Sequence, residues 1–386
     1  MGNRNKTFLF SIVTSFYWFS LYAYVPTLST YVESLGASYK MVGLVVGSYG
    51  FTQMLLRIPL GILSDRLNKR KLFVILGIVL ALISSIGLWL FPHVGLTLFF
   101  RALAGTSAAA WVVFTVLYSS YYEDSSAPKA IGILNSYNFA GQMTSIFLGG
   151  LAAQFFSQQA SFFVAVIGGV IALILSFGIQ ENKSIQRKPL GWSDILSVAT
   201  DRTLLVVSGL SILSQFITFS TMYGFNPVIA KNLGATNFEL SILTNLATIP
   251  VIFASLLSVV FSKYFGEKKT VMLGFTIAAL STMAVPYMPN IPWLYFMQLV
   301  GGIGRGLTFP LLMGLSIKNI DGSRRATAMG FFQSIYGVGM FIGPIILGFF
   351  SDTIGMTFGY WFTGLIGIIG AGITYRCVRS SKQIKD

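Results

Sequence analysis

The sequence has little charge, one cysteine and one histidine. Only 10% of its 386 residues are charged, whereas globular domains carry about 25%, and the mean hydropathy is +0.74. These values argue against a soluble globular protein. The lone Cys377 rules out an intramolecular disulfide, and the lone His93 rules out a two-histidine metal motif such as H-E-x-x-H. We therefore predict neither a metal site nor a cofactor.

What the sequence has instead is a series of long apolar stretches. A helix needs about 20 apolar residues to cross the hydrocarbon core of a membrane. The first stretch follows Arg4 and Lys6 and has no small-residue cleavage pattern after it, so we interpret it as a retained helix and not a signal peptide. Hydropathy and loop punctuation predict twelve spans, at 8–32, 41–63, 72–91, 95–120, 129–156, 160–179, 203–230, 239–262, 270–287, 292–317, 325–350 and 357–377.

Basic residues are concentrated in one set of loops. Of the 26 Lys and Arg residues, 21 lie in the termini and in the loops that follow even-numbered spans, and two, Lys40 and Lys231, lie on the other side. Short loops rich in Lys and Arg face the cytoplasm. We therefore predict an integral protein of the cell (inner) membrane with both termini cytoplasmic, and we interpret the net charge of +14 as a topology signal, not as nucleic-acid binding.

The sequence also repeats itself at an offset of 198 residues. Leu-Gly-Ala-Ser at 35–38 matches Leu-Gly-Ala-Thr at 233–236, and the same offset pairs Lys71 with Lys269. A repeat of this size predicts an all-α membrane fold with two similar six-helix bundles in parallel orientation. The expected divisions are an N-terminal bundle at 1–179, a cytoplasmic connector at 180–202 with a short amphipathic helix near 192–199, and a C-terminal bundle at 203–386.

The loop between the second and third spans carries the most specific motif. It runs Gly-Ile-Leu-Ser-Asp-Arg-Leu-Asn-Lys-Arg-Lys from Gly61 to Lys71 and resembles the cytoplasmic signature of the major facilitator superfamily. Asn replaces its second glycine, and Asn tolerates left-handed backbone angles. The resemblance implies a gating role for Gly61, Asp65, Arg66, Asn68 and Arg70.

Asp65 is the informative residue of this loop. At a helix end its carboxylate can face the positive N-terminus of another helix, such as the eleventh, and favour the state closed to the cytoplasm. A simple stop-transfer cluster would explain the basic residues around Asp65 but not the acid among them.

Two helix motifs add to the resemblance. Arg101 and Gly105 in the fourth span are similar to a family pattern of an arginine followed four residues later by a glycine, although Ala104 and Ser107 depart from it. The run that ends in Gly-Pro at Pro344 resembles an antiporter motif that the family carries in its fifth helix. The family implies a monomeric secondary transporter, and the fourth-span motif implies proton-coupled drug export, which the departures weaken.

Three arginines lie within the predicted spans. Arg101 lies toward the outer side, Arg305 near the midplane and Arg57 in the inner half, and no acidic residue falls within a span core. Charged groups inside a membrane usually face the protein interior or water. A positive interior attracts an anion, and guanidinium binds carboxylate or phosphate through paired hydrogen bonds. The alternative is that these arginines bond backbone carbonyl groups and hold helices together.

Polar side chains recur at helical spacing in several spans, which is typical of one face lining a cavity. Hydrogen bonding between helices is the alternative for each of them. The predicted substrate-binding residues are Arg305, Arg101, Arg57, Tyr17, Tyr24, Asn138, Gln142, Gln215, Gln333 and Tyr336.

Three function classes remain open. The leading hypothesis is secondary transport of a small organic anion by symport or antiport, with alternating access to a central cavity and with a proton or an exchanged solute as the coupling partner. The alternative is proton-coupled multidrug efflux, which the 15% aromatic content favours. The third class is a membrane receptor or a membrane enzyme. The sequence shows no sizeable output domain that would indicate a receptor, and no carboxylate pair or metal cluster that would indicate an enzyme. We therefore predict a transporter whose partners are a small molecule and membrane lipid, and not an enzyme.

Overall fold

The computed structural model describes residues 3–123, 126–181, 198–318, 320 and 324–378. Every regular element within these ranges is helical. The predicted connector helix near 192–199 lies almost entirely outside the described residues. The twelve long helices are α1 Arg4–Ser34, α2 Tyr39–Leu67, α3 Arg70–Leu90, α4 Val94–Ser119, α5 Ala127–Phe155, α6 Ala160–Ser176, α7 Arg202–Asn232, α8 Asn237–Phe265, α9 Glu267–Tyr287, α10 Ile291–Lys318, α11 Arg325–Thr353 and α12 Met356–Cys377.

The lengths and surfaces of these helices suit a membrane. In the described part of the chain, ten helices are long and apolar enough to cross one, α6 is a shorter apolar helix, and α5 carries more polar residues along its length. Large apolar side chains such as Phe253 and Leu256 are exposed on the outer helix faces, where lipid would cover them. The structure confirms the predicted all-α fold of twelve spans in two six-helix halves, α1–α6 and α7–α12.

The repeated tetrapeptide forms the same turn in both halves. Gly36 and Gly234 end α1 and α7 with φ angles of 83° and 88°, in the left-handed region that glycine enters without steric cost. Two residues later, the hydroxyl groups of Ser38 and Thr236 accept hydrogen bonds from backbone amides three residues further on. These are N-caps, so the repeat reverses the chain between neighbouring helices.

Three helices are interrupted along their length. α1 has a turn before Val25, and α7 contains a π-helical turn at Thr221–Phe225. Pro26 and Pro227 follow these two breaks, and proline removes a backbone donor and disfavours helical angles in the residue before it. α4 is interrupted at Ala110. Aromatic residues of the site described below flank each break.

The two halves meet along α2 and α11. Gly43, Gly47 and Gly50 form one stripe of α2, and a Cβ atom at Gly43 would lie 2.1 Å from the carbonyl oxygen of Pro344. Small residues allow this close approach of backbones between membrane helices. We call the end of the bundle that carries both chain termini the terminal end, and the opposite end the far end.

At the far end a carboxylate joins the halves. Asp352, near the C-terminus of α11, accepts hydrogen bonds from the backbone amides of Tyr39 and Lys40 at 2.9 and 2.7 Å. These amides begin α2, and a helix N-terminus favours a carboxylate because its N–H groups are free and its dipole is positive. α5 and α8 also meet there, where Asn237 Nδ2 donates to the carbonyl oxygen of Ala153 at 3.0 Å. Both helix pairs therefore hold the far end together.

Candidate functional site

Arg101 of α4 is buried between tyrosine rings. Its Cζ atom lies 4.2 Å from the ring centroid of Tyr49 and 5.5 Å from that of Tyr24, and its Nη1 donates to the Tyr24 hydroxyl at 3.1 Å. The residue is 3% exposed, and its Nε has no hydrogen-bond partner among the described residues. The rings stabilise the charge through cation–π contact. Of the five N–H donors of this guanidinium, one on Nη1 bonds Tyr24 and the one on Nε is without a partner in the described residues.

Arg305 of α10 supplies a second buried guanidinium, from the other half. Its Nη2 donates to the carbonyl oxygen of Ala247 in α8 at 3.2 Å, and its Nε lacks a partner within the described part of the chain. The neighbouring Gly304 and Gly306 let α10 approach its neighbours closely, since added Cβ atoms would lie 2.7 Å from Ala278 N and 2.6 Å from the Ala254 side chain. Helix packing thus buries a charged side chain inside the second half, against α8.

Aromatic rings connect the two halves beside Arg101. Tyr22 of α1 meets Tyr223 of α7 edge to face with centroids 6.0 Å apart, and Tyr49 of α2 stacks with Phe219 of α7 at 6.3 Å. Trp18 contacts the Tyr22 ring at 5.7 Å. These contacts lie in the range of favourable ring pairs. We define the aromatic cluster as Trp18, Tyr22, Tyr49, Trp111, Phe219 and Tyr223.

Tyr223 links this cluster to both arginines. It lies in the π-helical turn of α7, and it interacts electrostatically with Arg305 and Arg101. Trp111, which follows the break in α4, contacts Trp18 at 5.3 Å. Tyr223 thus lies within electrostatic range of one guanidinium group from each half. π-Helical turns frequently occur at functional sites.

Arg57 bonds the two halves directly. From α2, its Nη1 donates to the Tyr336 hydroxyl at 2.9 Å and to the Gln333 carbonyl oxygen at 3.2 Å, both on α11. Its Nη2 donates to Gln53 Oε1 at 2.5 Å. Its Nε has no partner in the described residues, but both Nη atoms bond protein groups, as the helix-joining alternative for this arginine requires. The Gln333 side-chain oxygen, in contrast, is buried without a partner in the described residues.

The two predicted tyrosines of α1 have different surroundings. Tyr24 holds Arg101, as described above. Tyr17 is fully buried, and its hydroxyl donates to the carbonyl oxygen of Ser107 in α4 at 2.7 Å. Its ring stacks on Phe114 at 4.6 Å. Tyr17 therefore packs inside the first half, one position from the aromatic cluster.

The amide side chains predicted on α5 and α7 form no hydrogen bond with the arginines among the described residues. On α5, Gln142 Nε2 donates to Asn138 Oδ1 at 2.5 Å, one helical turn away, and both side chains are buried. Gln215 of α7 is half-buried. In the described residues the structure thus brings Tyr24 to Arg101, and Gln333 and Tyr336 to Arg57, but it joins none of these three amides to a guanidinium.

The loop between α2 and α3, at the terminal end, contains an ion pair and a residue with left-handed backbone angles. Arg70 Nη2 donates to Asp65 Oδ1 at 2.9 Å, and Asn68 adopts the left-handed conformation with φ 48°. Gly61 is buried and Arg66 is exposed. In the ranges that the structure describes, the partner of the Asp65 carboxylate is therefore the loop's own arginine.

A second acidic residue caps a helix at this end. Glu181 accepts hydrogen bonds from the backbone amides of Arg70 and Lys71 at 3.0 and 2.7 Å, at the start of α3. Beside it, burial and then the Glu181 charge raise the pKa of Tyr121 above its ordinary value. The Tyr121 phenol therefore stays protonated and donates to the Gln180 carbonyl, which fixes the segment after α6 against the loop.

Sequence analysis did not select the aromatic cluster or the two capping acids, Asp352 and Glu181. One signal was available, because Pro26 and Pro227 mark helix breaks close to Tyr22 and Tyr223. Among the residues that the structure describes, no group of three or more His, Cys, Asp or Glu side chains is placed to hold a metal ion.

The sequence matches the family model of the Major Facilitator Superfamily at residues 10–225 and again at 204–384. It is 24% identical to an uncharacterized MFS-type transporter of Methanocaldococcus jannaschii, an alignment that covers 97% of this chain and 99% of that protein. It is 23% identical to the quinolone resistance protein NorA of Staphylococcus aureus over 85% of both chains.

Solved structures share the fold. A bacterial homologue of the human lysosomal transporter Spinster, in an inward-facing and unoccupied conformation, superposes with a TM-score of 0.81 at 16% identity and covers 97% of this chain and 96% of its own. The nucleoside transporter NupG gives a TM-score of 0.76 at 14% identity, with 99% and 100% covered. At these identities the likeness concerns the fold alone.

Proposed function

Because this chain belongs to the major facilitator superfamily and is a membrane transporter, not an enzyme, we propose that it carries a small organic anion by alternating access through a cavity between its halves. The anion is a carboxylate or a phosphate. Transport is secondary, by symport or antiport, and one monomer forms the complete pathway.

One observation carries this proposal: Arg101 and Arg305 are buried in opposite halves with guanidinium groups that have no acidic partner in the described residues. A buried charge is costly unless it is paired and hydrogen-bonded. An anion that contacts both arginines would supply the missing partner. It would also draw the two halves together, as an alternating-access cycle requires.

The remaining predicted residues take supporting roles in this proposal. Tyr24 orients Arg101, while Arg57, Gln333 and Tyr336 join α2 to α11. Asn138, Gln142 and Gln215 extend the polar surface available to the solute along α5 and α7. Tyr17, whose hydroxyl bonds Ser107, supports the packing of the first half.

The direction of the chain in the membrane follows from its charge. Basic residues cluster at the terminal end, and loops of this kind stay in the cytoplasm, so the terminal end faces the cytoplasm of a cell (inner) membrane. The loop from Gly61 to Arg70 then acts as the cytoplasmic gate. Since the span cores contain no carboxylate, a coupling proton would travel on the substrate, or an exchanged solute would replace it.

The test is uptake into proteoliposomes under an imposed pH gradient. A panel of radiolabelled organic acids, sugar phosphates and neutral drugs is offered to the wild type, to Arg305→Gln and to Arg376→Gln, a matched change at an exposed position on α12. Removing one partner of a buried charge contact costs about 2–5 kcal/mol, so anion uptake should fall at least about tenfold in Arg305→Gln and stay unchanged in Arg376→Gln.

Proton-coupled multidrug efflux is the second candidate. The similarity to the quinolone resistance protein NorA and the aromatic cluster favour it. If only neutral or cationic compounds move, and Arg305→Gln transports them as well as the wild type, the anion proposal falls and efflux takes its place.

A further inference from the structure

The walls of the proposed site are aromatic to an extent that anion binding alone does not require. The rings of Tyr49 and Tyr24 lie against the Arg101 guanidinium. The other rings of the aromatic cluster extend from Tyr49 to the second half. Cation–π contact with Arg101 accounts for Tyr49 and Tyr24. Among the described residues the other rings of the cluster make no such contact, and aliphatic side chains would exclude water equally well there, so these rings point to a feature of the ligand.

The cluster joins the halves through the stacked pair Tyr49 and Phe219 and through an edge contact between Tyr22 and Tyr223. Tyr22 and Tyr223 touch with an interplanar angle of 76°, and each has further rings behind it: Trp18 behind Tyr22 and Phe219 behind Tyr223. A planar ring that enters between Tyr22 and Tyr223 would exchange one edge contact for two. An aliphatic ring of the same size would bury the same apolar area, but it would lack the electrostatic attraction between aromatic rings.

The contacts place the acidic group of such a ligand at Arg101, because Tyr49 of the cluster lies against that guanidinium and the ring contacts continue through Phe219 to Tyr223. Arg101 and Arg305 both interact electrostatically with that residue, and each has an unpartnered Nε among the described residues. A carboxylate bound at Arg101 would leave the attached ring beside Trp18, Tyr22 and Trp111.

From this arrangement we propose that the transporter selects aromatic carboxylates over aliphatic carboxylates of equal size and charge, and that Tyr223 is a specificity-determining residue. The inference rests on the proposed anion transport and narrows its substrate class. Arg101 and Arg305 supply affinity for the carboxylate. The aromatic cluster supplies the preference for a flat ring.

The test compares two ligands that differ only in aromaticity. Benzoate and cyclohexanecarboxylate have the same carbon number and the same charge, and their binding to the purified full chain is measured by calorimetric titration, with neutral benzamide as a third ligand. One ring contact changes affinity by about 2- to 10-fold, so two contacts should make benzoate bind about 4- to 100-fold more tightly.

The variants assign this preference to Tyr223. In Tyr223→Leu the ratio of the two affinities should approach one, whereas Tyr223→Phe, which keeps the ring, should retain it. Tyr287→Leu is the matched control, since Tyr287 is exposed on α9, and it should bind both ligands as the wild type does. Thermal unfolding of each variant verifies that the chain is folded.

The outcomes separate the two proposals. Equal binding of benzoate and cyclohexanecarboxylate by the wild type overturns the aromatic preference and leaves anion transport standing. Binding of benzamide as tight as that of benzoate removes the role of charge, and with it the proposed function. A preference for benzoate that survives in Tyr223→Leu refutes the assignment to Tyr223.

Discussion

Replacing Asp352 by Asn should loosen the far end and populate a state open on that side. The carboxylate accepts two backbone hydrogen bonds across the halves, and the amide oxygen of Asn keeps the geometry for one of them. Hydrogen bonds to charged groups contribute about 1.5–3 kcal/mol, and a carboxylate at a helix N-terminus about 0.3–1 kcal/mol.

The expected effect lies near the lower end of these values. Asp352 is exposed to solvent, which weakens electrostatic contacts. We therefore expect about 1 kcal/mol, which corresponds to about a fivefold shift in the ratio of far-open to far-closed molecules.

A buried thiol can report this shift. Cys377 is the single native cysteine, so Cys377→Ser gives a background without thiols. Ser241, which lies on α8 against Gly150 of α5 and is 1% exposed, is then changed to Cys. A membrane-impermeant maleimide applied from the far side should label this cysteine about five times faster when Asp352→Asn is added.

The control is another capping aspartate. Asp201 caps α7 within one half through the Leu204 amide at 2.7 Å, and Asn caps helices as well as Asp does, so Asp201→Asn should leave labelling unchanged. Equal labelling rates in Asp352→Asn and in the parent protein would refute the idea that this carboxylate holds the far end closed.

Two further predictions concern backbone positions. Gly43→Ala would place a Cβ atom 2.1 Å from the Pro344 carbonyl oxygen and should disfavour the far-closed state by about 1–3 kcal/mol. The maleimide should then label Ser241→Cys faster. Gly132→Ala is the control, because its Cβ atom would have no atom of the described residues within 4 Å, and it should leave the labelling rate unchanged. Asn68→Val forces a β-branched residue into φ 48° and should cost about 1–2 kcal/mol in thermal unfolding, while Asn68→Gly should be tolerated. Equal stability of the two Asn68 variants would contradict the conformational explanation.

The fold was predictable because a membrane restricts the choices. A backbone in hydrocarbon must satisfy its own hydrogen bonds, so a long apolar stretch can be interpreted directly as a helix. The helices differ from the spans at their ends: hydropathy predicts a second span of 41–63, whereas α2 continues to Leu67 and includes Asp65. Hydropathy detects only the part of a helix within the apolar layer, and the helix extends beyond it.

The arginines of the site were visible because charge is rare in the spans. The aromatic cluster could not be identified in this way. The sequence has 17 Tyr and 34 Phe residues, and no local pattern distinguishes a ring in the site from one that faces lipid. Asp352 was missed for another reason. Its contact with Tyr39 depends on the register of α2 against α11, which the close approach of glycine backbones sets and which no local pattern reveals.

The π-helical turn of α7 has a consequence for how binding and movement are linked. Tyr223 belongs both to the wall of the site and to the one stretch of α7 whose winding differs from that of an α-helix. A solute that contacts this ring therefore also contacts the π-helical turn itself. Recognition of the proposed solute and the local winding of α7 then depend on the same residue, without a separate relay between them.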